Sequence, residues 1–160
     1  MDVKKILKLV AFVIICEIIG ASGSIFTIPN IPLWYANLVK PFFSPPNWLF
    51  APVWTLLFLL MGIALYIIWE SVEKKFQKIR ALAISWFAIQ FAFNVLWSYL
   101  FFGLRNPFLG FIGIILLWFS ILFTIFYFYR INKKAAYLLV PYLIWVSFAS
   151  ILNFSILMLN

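Results

Sequence analysis

Five long apolar stretches constrain what this chain can fold into. They cover residues 6–25, 48–69, 81–102, 107–129 and 135–157. Each stretch is long enough to cross a bilayer as a helix. Of the 160 residues, 67% are hydrophobic and 10% charged, whereas a soluble domain is about 45–50% apolar. A soluble domain of this size could not bury so much apolar surface. We therefore predict an all-α membrane protein with one domain over residues 1–160, built as a five-transmembrane-helix bundle.

The basic side chains predict how this bundle is oriented. Of the twelve Lys and Arg residues, ten fall in the N-terminal tail and in the second and fourth connections, and two fall in the first and third connections. Because alternate segments share a side and cytoplasmic segments are rich in Lys and Arg, we expect a cytoplasmic N-terminus and a C-terminus outside. The net charge of +8 then anchors the chain to the anionic lipid bilayer, and no nucleic-acid partner is expected.

The reactive side chains exclude several kinds of site. The sequence has no histidine, a single cysteine and four acidic residues. These counts rule out a His/Cys zinc site, a Ser-His-Asp triad and an intrachain disulfide. We expect no metal site, no bound cofactor and no acid–base catalytic residues. Cys16 is predicted to be a small buried hydrophobe.

The connection between the first two stretches, residues 26–47, differs from the other connections. It contains five prolines with Trp34, Tyr35, Phe42 and Phe43 between them. Proline at this density prevents one long helix, and Trp and Tyr settle at the membrane interface. We predict a long structured loop that forms a semi-rigid flap.

Aromatic and polar side chains follow one face of three predicted helices. These stripes contain Trp54 and Phe58 on the second helix, Gln90, Asn94 and Trp97 on the third, and Trp145, Ala149 and Asn153 on the fifth. Taken singly, they are typical of helix–helix packing, with amides hydrogen bonded between helices. Taken together, they offer the stacking faces and the few polar groups that a pocket for a flat apolar ligand needs.

Short motifs along the chain resemble the TspO/MBR family of tryptophan-rich sensory and translocator proteins. They are the segments at residues 34–41, 44–48, 52–54 and 61–64, then 94–98, and finally 141–145, 148–149 and 152–153. Each motif is weak alone, but the ordered set covers most of the chain and is specific.

The resemblance implies five tightly packed helices, often as a homodimer, with the first loop as a lid over a pocket. That pocket binds porphyrins, including protoporphyrin and haem-type tetrapyrroles, and drug-like benzodiazepine-type ligands. Matched by motif, its ligand-binding residues would be Tyr35, Pro45, Trp54, Phe58, Asn94, Trp97, Trp145, Ala149 and Asn153. The porphyrin is a ligand here and not a cofactor.

Two features bear on the ligand. The end of the fifth stretch carries neither Tyr nor a basic residue after Asn153, which departs from the proposed cholesterol motif of animal members. High-affinity sterol binding is therefore doubtful, and a prokaryotic cell membrane is expected.

We expect the first helix to supply few ligand contacts and its small residues at 20–24 to form a close helix contact. Glu17 is expected to be a hydrogen-bonded structural residue.

Three functions are compatible with these observations. The leading hypothesis is a membrane receptor or carrier for tetrapyrroles. The second is a light- and oxygen-dependent porphyrin-degrading enzyme, as reported for some family members, which would use Trp54 and Trp145. The third is an interaction scaffold without a pocket, in which Ala88 and Ala92 would form a dimer contact.

Overall fold

The computed structural model describes residues 2–71 and 77–160, and within them every regular element is helical. The helices are α1 (Val3–Ser22), α2 (Ser24–Leu33), α3 (Phe50–Glu70), α4 (Gln77–Ser98), α5 (Pro107–Ile131), α6 (Lys133–Leu138) and α7 (Val140–Leu159). Four continuous segments are long and apolar enough to cross a membrane, and the bent pair α1–α2 makes a fifth. The prediction of a five-helix membrane bundle is confirmed.

The first span is longer than we predicted. It bends by 40° at Gly23 and continues as α2 to Leu33, so the expectation of a loop from residue 26 was wrong for these residues. Pro29 and Pro32 lie inside α2, and each removes one backbone donor. The Asn30 side chain, between the two prolines, donates to the Phe26 carbonyl one turn earlier in the same helix. In lipid the backbone must satisfy itself, which favours helix even at this proline density.

The later spans match their predicted ranges within a few residues. The last turn of the third span is a π-helical turn at Tyr99–Gly103. The Asn106 side chain caps α5 by accepting from two backbone N–H groups, and Asn132 caps α6 in the same way. Asparagine is a favoured N-cap, so these two residues define where the fourth and fifth spans begin.

Helix packing leaves room on one side of the bundle. Along its length α1 packs on α3, with α4 against α5 and α5 against α7. At the α1–α3 contact, a Cβ on Gly62 would lie 2.6 Å from the Cα of Val13. Beyond the bend, α2 packs instead on the π-helical turn. The first half of α3 therefore has a gap beside it.

The two ends of the bundle differ in composition. At one end Lys8 forms a salt bridge with Glu70 at 3.0 Å, and Lys133 lies over the Tyr129 ring. The residues Lys74 and Lys75, counted above, lie outside the described part of the chain. At the other end, the first loop meets the end of α7, where the Asn160 side chain makes two hydrogen bonds with the Val39 backbone, each at 3.0 Å.

Candidate functional site

A cavity of about 320 Å³ lies in this gap, beneath the first loop. Its walls come from α1, α2, the first half of α3 and the end of α4, and the 3₁₀ turn that begins at Tyr35 forms its roof. The volume falls at the lower end of the range for ligand sites. Ala21 and Ile28 on one side, and Ala51 and Thr55 on the other, line the cavity and are also exposed on the bundle surface. The cavity therefore opens sideways between α2 and α3.

Five of the nine predicted ligand-binding residues line this cavity: Tyr35, Trp54, Phe58, Asn94 and Trp97. The Trp54 ring stacks on Phe58 with 5.5 Å between centroids and 26° between planes. It lies 6.4 Å from the Trp97 ring. The stripes of the second and third spans are therefore brought together as one aromatic wall.

The residues of the last span lie elsewhere. A separate cavity of about 30 Å³ touches Ala149 and Asn153, which is enough for a water molecule but not for a ligand. Pro45 and Trp145 line neither cavity. The Trp145 ring packs against Phe50, with 6.1 Å between centroids, and Phe50 itself lines the main cavity. Trp145 thus supports the wall from behind.

Two of the three predicted amides bond between helices, whereas Gln90 is buried and its amide makes no hydrogen bond within the described residues. Asn94 Nδ2 donates to the Tyr142 hydroxyl at 3.0 Å. Trp97 Nε1 donates to Asn153 Oδ1 at 3.2 Å, and Asn153 Nδ2 donates to the Pro107 carbonyl at 2.9 Å. For these bonded atoms the packing interpretation holds, since each bond joins two helices of the bundle. The same bonds orient the Asn94 and Trp97 side chains that face the ligand space.

Tyr35 anchors the roof. Its side chain is 3% exposed, and neither its hydroxyl nor the buried Ser44 hydroxyl makes a well-formed hydrogen bond within the described residues. Burial raises the pKa of Tyr35, while Ser44 acts in the opposite direction, so the phenol is neutral at pH 7. The Lys40 ammonium donates to the Tyr35 carbonyl at 2.8 Å and lies 4.9 Å above its ring.

The first span contributes much more than we expected. Residues of α1 and α2, from Glu17 to Ile31, form one whole wall of the cavity, whereas we expected few ligand contacts from the first helix. The small residues at 20–24 were the available signal. They do make a close contact, since a Cβ on Gly20 would clash with the Phe58 ring. Because these side chains are small, they also project little into the gap and leave the cavity open.

Glu17 is one of the described residues that form this wall of the cavity, and its side chain is half-buried. We expected it to be hydrogen bonded inside the bundle. Within the described residues, it makes neither a side-chain hydrogen bond nor a salt bridge. A partnerless ionisable group inside a membrane span points to a functional role by default.

Comparison with known proteins agrees with this architecture. The TspO/MBR family profile matches residues 12–159. The chain is 50% identical over 155 residues to the tryptophan-rich protein TspO of Archaeoglobus fulgidus, covering 97% of this chain and 98% of that protein. It is 46% identical to the tryptophan-rich protein TspO of Chlorobaculum tepidum, covering 98% of each. It is 34% identical to the translocator protein of Bos taurus, covering 91% of this chain and 85% of that protein.

Proposed function

Because the chain belongs to the TspO/MBR family, we propose that it is a membrane receptor or carrier that binds a flat, largely apolar ligand of the tetrapyrrole class, and benzodiazepine-type molecules, in the main cavity. The observation that carries the proposal is the Trp54 ring, which is stacked on Phe58 and lines the space under the loop. A flat ring system binds well to such a wall through offset stacking.

The size and opening of the cavity bear on how a macrocycle would bind. At about 320 Å³ the enclosed part suits a drug-sized ligand better than a whole porphyrin. The sideways opening between α2 and α3 offers the remaining space. A porphyrin would then bind with one edge against Trp54 and the opposite edge toward the lipid. Its buried apolar area would contribute about 25 cal/mol per Å², before the cost of association.

The test is a titration of the purified protein with protoporphyrin in darkness, read by quenching of tryptophan fluorescence. We expect saturable quenching in the wild type. Trp54→Ala should weaken the affinity at least about tenfold, because it removes an aromatic contact of roughly 1.5 kcal/mol together with its buried area. Benzodiazepine-type ligands should compete for the same site.

Trp86→Ala is the matched control for this titration. Trp86 stacks on Phe123 with 4.7 Å between centroids and does not line the cavity. Its loss should leave the affinity within about twofold. Equal affinity in wild type and Trp54→Ala, with both folded, would reject the cavity as the binding site.

Porphyrin degradation in light and oxygen is the second candidate. The observation that favours it is the position of Trp54, an oxidisable indole that a bound macrocycle would touch. Illumination of the complex in air should then give a new absorbing product that Trp54→Phe abolishes. If the bound porphyrin instead bleaches at the same rate as free porphyrin, the enzyme hypothesis is rejected and the receptor or carrier function remains.

We also propose the orientation in the membrane. The excess of basic residues at the end that carries Lys8 and Lys133 supports a cytoplasmic N-terminus. The first loop and the C-terminus would then face outward, in a prokaryotic cell membrane. The homodimer and the weak sterol binding stay predictions from the sequence.

A further inference from the structure

We propose that the cavity is polarised and selects flat apolar ligands whose deep end carries a positive charge or hydrogen-bond donors. This inference rests on the proposed function, because it names the ligand class and the ligand orientation at the same site. It comes from a carboxyl group without a partner among the described residues at the deep end of the cavity, and from two hydroxyl groups on the cavity wall whose hydrogens are already used.

Glu17 marks the deep end of the cavity. It lies one helical turn before Gly20, which contacts the Phe58 ring, and near the middle of the span that α1 and α2 form together. It is the only acidic residue among the described residues of the cavity wall, and no Lys or Arg lies among them. A carboxyl group at this depth is costly without a partner. A ligand with a cationic or N–H end would supply that partner.

Two hydroxyl groups on the cavity wall also present acceptors. Ser24 Oγ donates to the Ala21 carbonyl at 2.6 Å, and Thr55 Oγ1 donates to the Ala51 carbonyl at 3.0 Å. Each hydroxyl has only one hydrogen to donate. Because that hydrogen is used inside its own helix, both side chains can offer a ligand only their oxygen lone pairs.

The middle of the cavity favours neither donors nor acceptors. Asn94 uses one of its two amide hydrogens on Tyr142, so its second hydrogen and its Oδ1 can both serve a ligand. The Trp97 indole N–H is used on Asn153. The preference for a cationic or N–H end is therefore set at Glu17.

The lid end of the cavity carries no acidic residue among the described lining residues. Asn47, in the 3₁₀ turn before α3, lines the cavity there, and its amide offers N–H donors as well as an acceptor oxygen. A ligand carboxylate would find donors at such an amide and would be repelled by Glu17. We infer that ammonium or N–H ends lie against Glu17 in a charge-assisted hydrogen bond, and that carboxylate ends lie away from it, toward the lid.

The experiment uses three probes with one flat body and different charges: pyrenylmethylammonium, pyrenylmethanol and pyrenecarboxylate. The full chain is placed in nanodiscs of phosphatidylcholine alone, and binding is read by saturable quenching of tryptophan fluorescence. We expect the wild type to bind the ammonium probe about tenfold more tightly than the alcohol, since a hydrogen bond to a charged group is stronger than a neutral one. The carboxylate should bind most weakly.

Glu17→Gln should reduce the affinity for the ammonium probe about tenfold and leave the alcohol within twofold. Glu17→Asp retains the charge and should retain the preference, so it separates loss of charge from loss of fold. Glu70→Gln is the matched control, because Glu70 is bonded to Lys8 at the far end of the bundle. It should leave all three affinities unchanged.

Two results would overturn the inference. One is a wild type that binds the three probes alike, and the other is a Glu17→Gln variant that keeps the full preference for the ammonium probe. In either case the proposed binding site can still be tested with the alcohol probe. If the wild type binds the alcohol saturably and Trp54→Ala does not, the cavity remains the binding site and only the charge preference fails. If no probe bound saturably, the proposed function and this inference would fail together.

Discussion

At the scale of single residues, the site depends on how a few polar atoms are paired. Trp97 carries one face of the cavity wall, and its orientation is maintained by the bond from its indole N–H to Asn153. Asn153 in turn bonds the Pro107 carbonyl at the start of α5. One amide thus ties three helices together at the level of the ligand space. Such bonds in membrane bundles contribute modestly, about 0.6 kcal/mol on average.

The coupling between Trp97 and Asn153 can be measured directly. We expect Trp97→Phe and Asn153→Ala each to destabilise the protein, and the double variant to lose about 0.6 kcal/mol less than the sum, because both single changes break the same bond. The measurement is unfolding by dodecyl sulfate in mixed micelles, followed by circular dichroism. Strict additivity of the two losses would show that the bond contributes nothing.

At the scale of elements, the close α1–α3 contact and the divergence of α2 together create the cavity. The contact forms because Gly62 lets the α1 backbone approach, and the bend at Gly23 then carries α2 away from α3. A straight first span would lie along α3 and fill the gap. The lid is a separate element, and the Asn160 side chain ties it to the end of α7.

Gly62→Ala should open the α1–α3 contact. Its new methyl group would meet the Val13 backbone at 2.6 Å, and a backbone cannot move aside as a side-chain end can. We expect a loss of about 1–3 kcal/mol, the usual cost of overpacking, seen as a lower melting temperature in detergent. Gly113→Ala is the control, because its methyl group would meet the end of the Leu100 side chain at 3.0 Å. Equal losses in the two variants would contradict this account.

Asn160→Ala should loosen the lid. It removes two hydrogen bonds to the Val39 backbone, each with a net contribution of about 1 kcal/mol. Amide hydrogen exchange at residues 38–41 should accelerate at least about tenfold, and bound protoporphyrin should dissociate faster. Asn37→Ala breaks only a local bond to the Leu33 carbonyl and should change neither rate. Unchanged exchange in Asn160→Ala would mean that other contacts close the lid.

At the scale of the whole molecule, five spans place the lid and the C-terminus at one end and the basic residues mainly at the other. The alternation of ten basic residues against two supports the proposed orientation, because positively charged segments stay on the cytoplasmic side. In that orientation the cavity would lie in the outer half of the bilayer. A ligand would reach it from the outer leaflet, through the opening between α2 and α3, or from above after the lid moves.

Single-cysteine labelling with a membrane-impermeant maleimide tests this orientation. Phe42 is fully exposed on the lid, and Phe42→Cys should react in intact cells. Lys134, exposed at the opposite end, should react as Lys134→Cys only after permeabilisation. The native Cys16 is 1% exposed and should contribute no background. The reverse labelling pattern would invert the proposed orientation.

The number of spans, their approximate limits and the aromatic stripes could be read from the sequence. They depend on local composition, since apolar length sets a span and a spacing of three or four residues sets a helix face. The stripe of Trp54 and Phe58 does face the cavity. Helix continuation through Pro29 and Pro32 could not be read, because the lipid environment outweighed the local preference of proline.

Only the packing of distant segments decided which stripes surround the cavity. Trp54 and Trp145 look equivalent by spacing, yet one lines the space and the other lies behind Phe50. Glu17 resembled a structural residue until the bend at Gly23 placed it on a cavity wall. Periodicity defines a helix face but not its neighbour, because the neighbour depends on bends and close contacts far away along the chain.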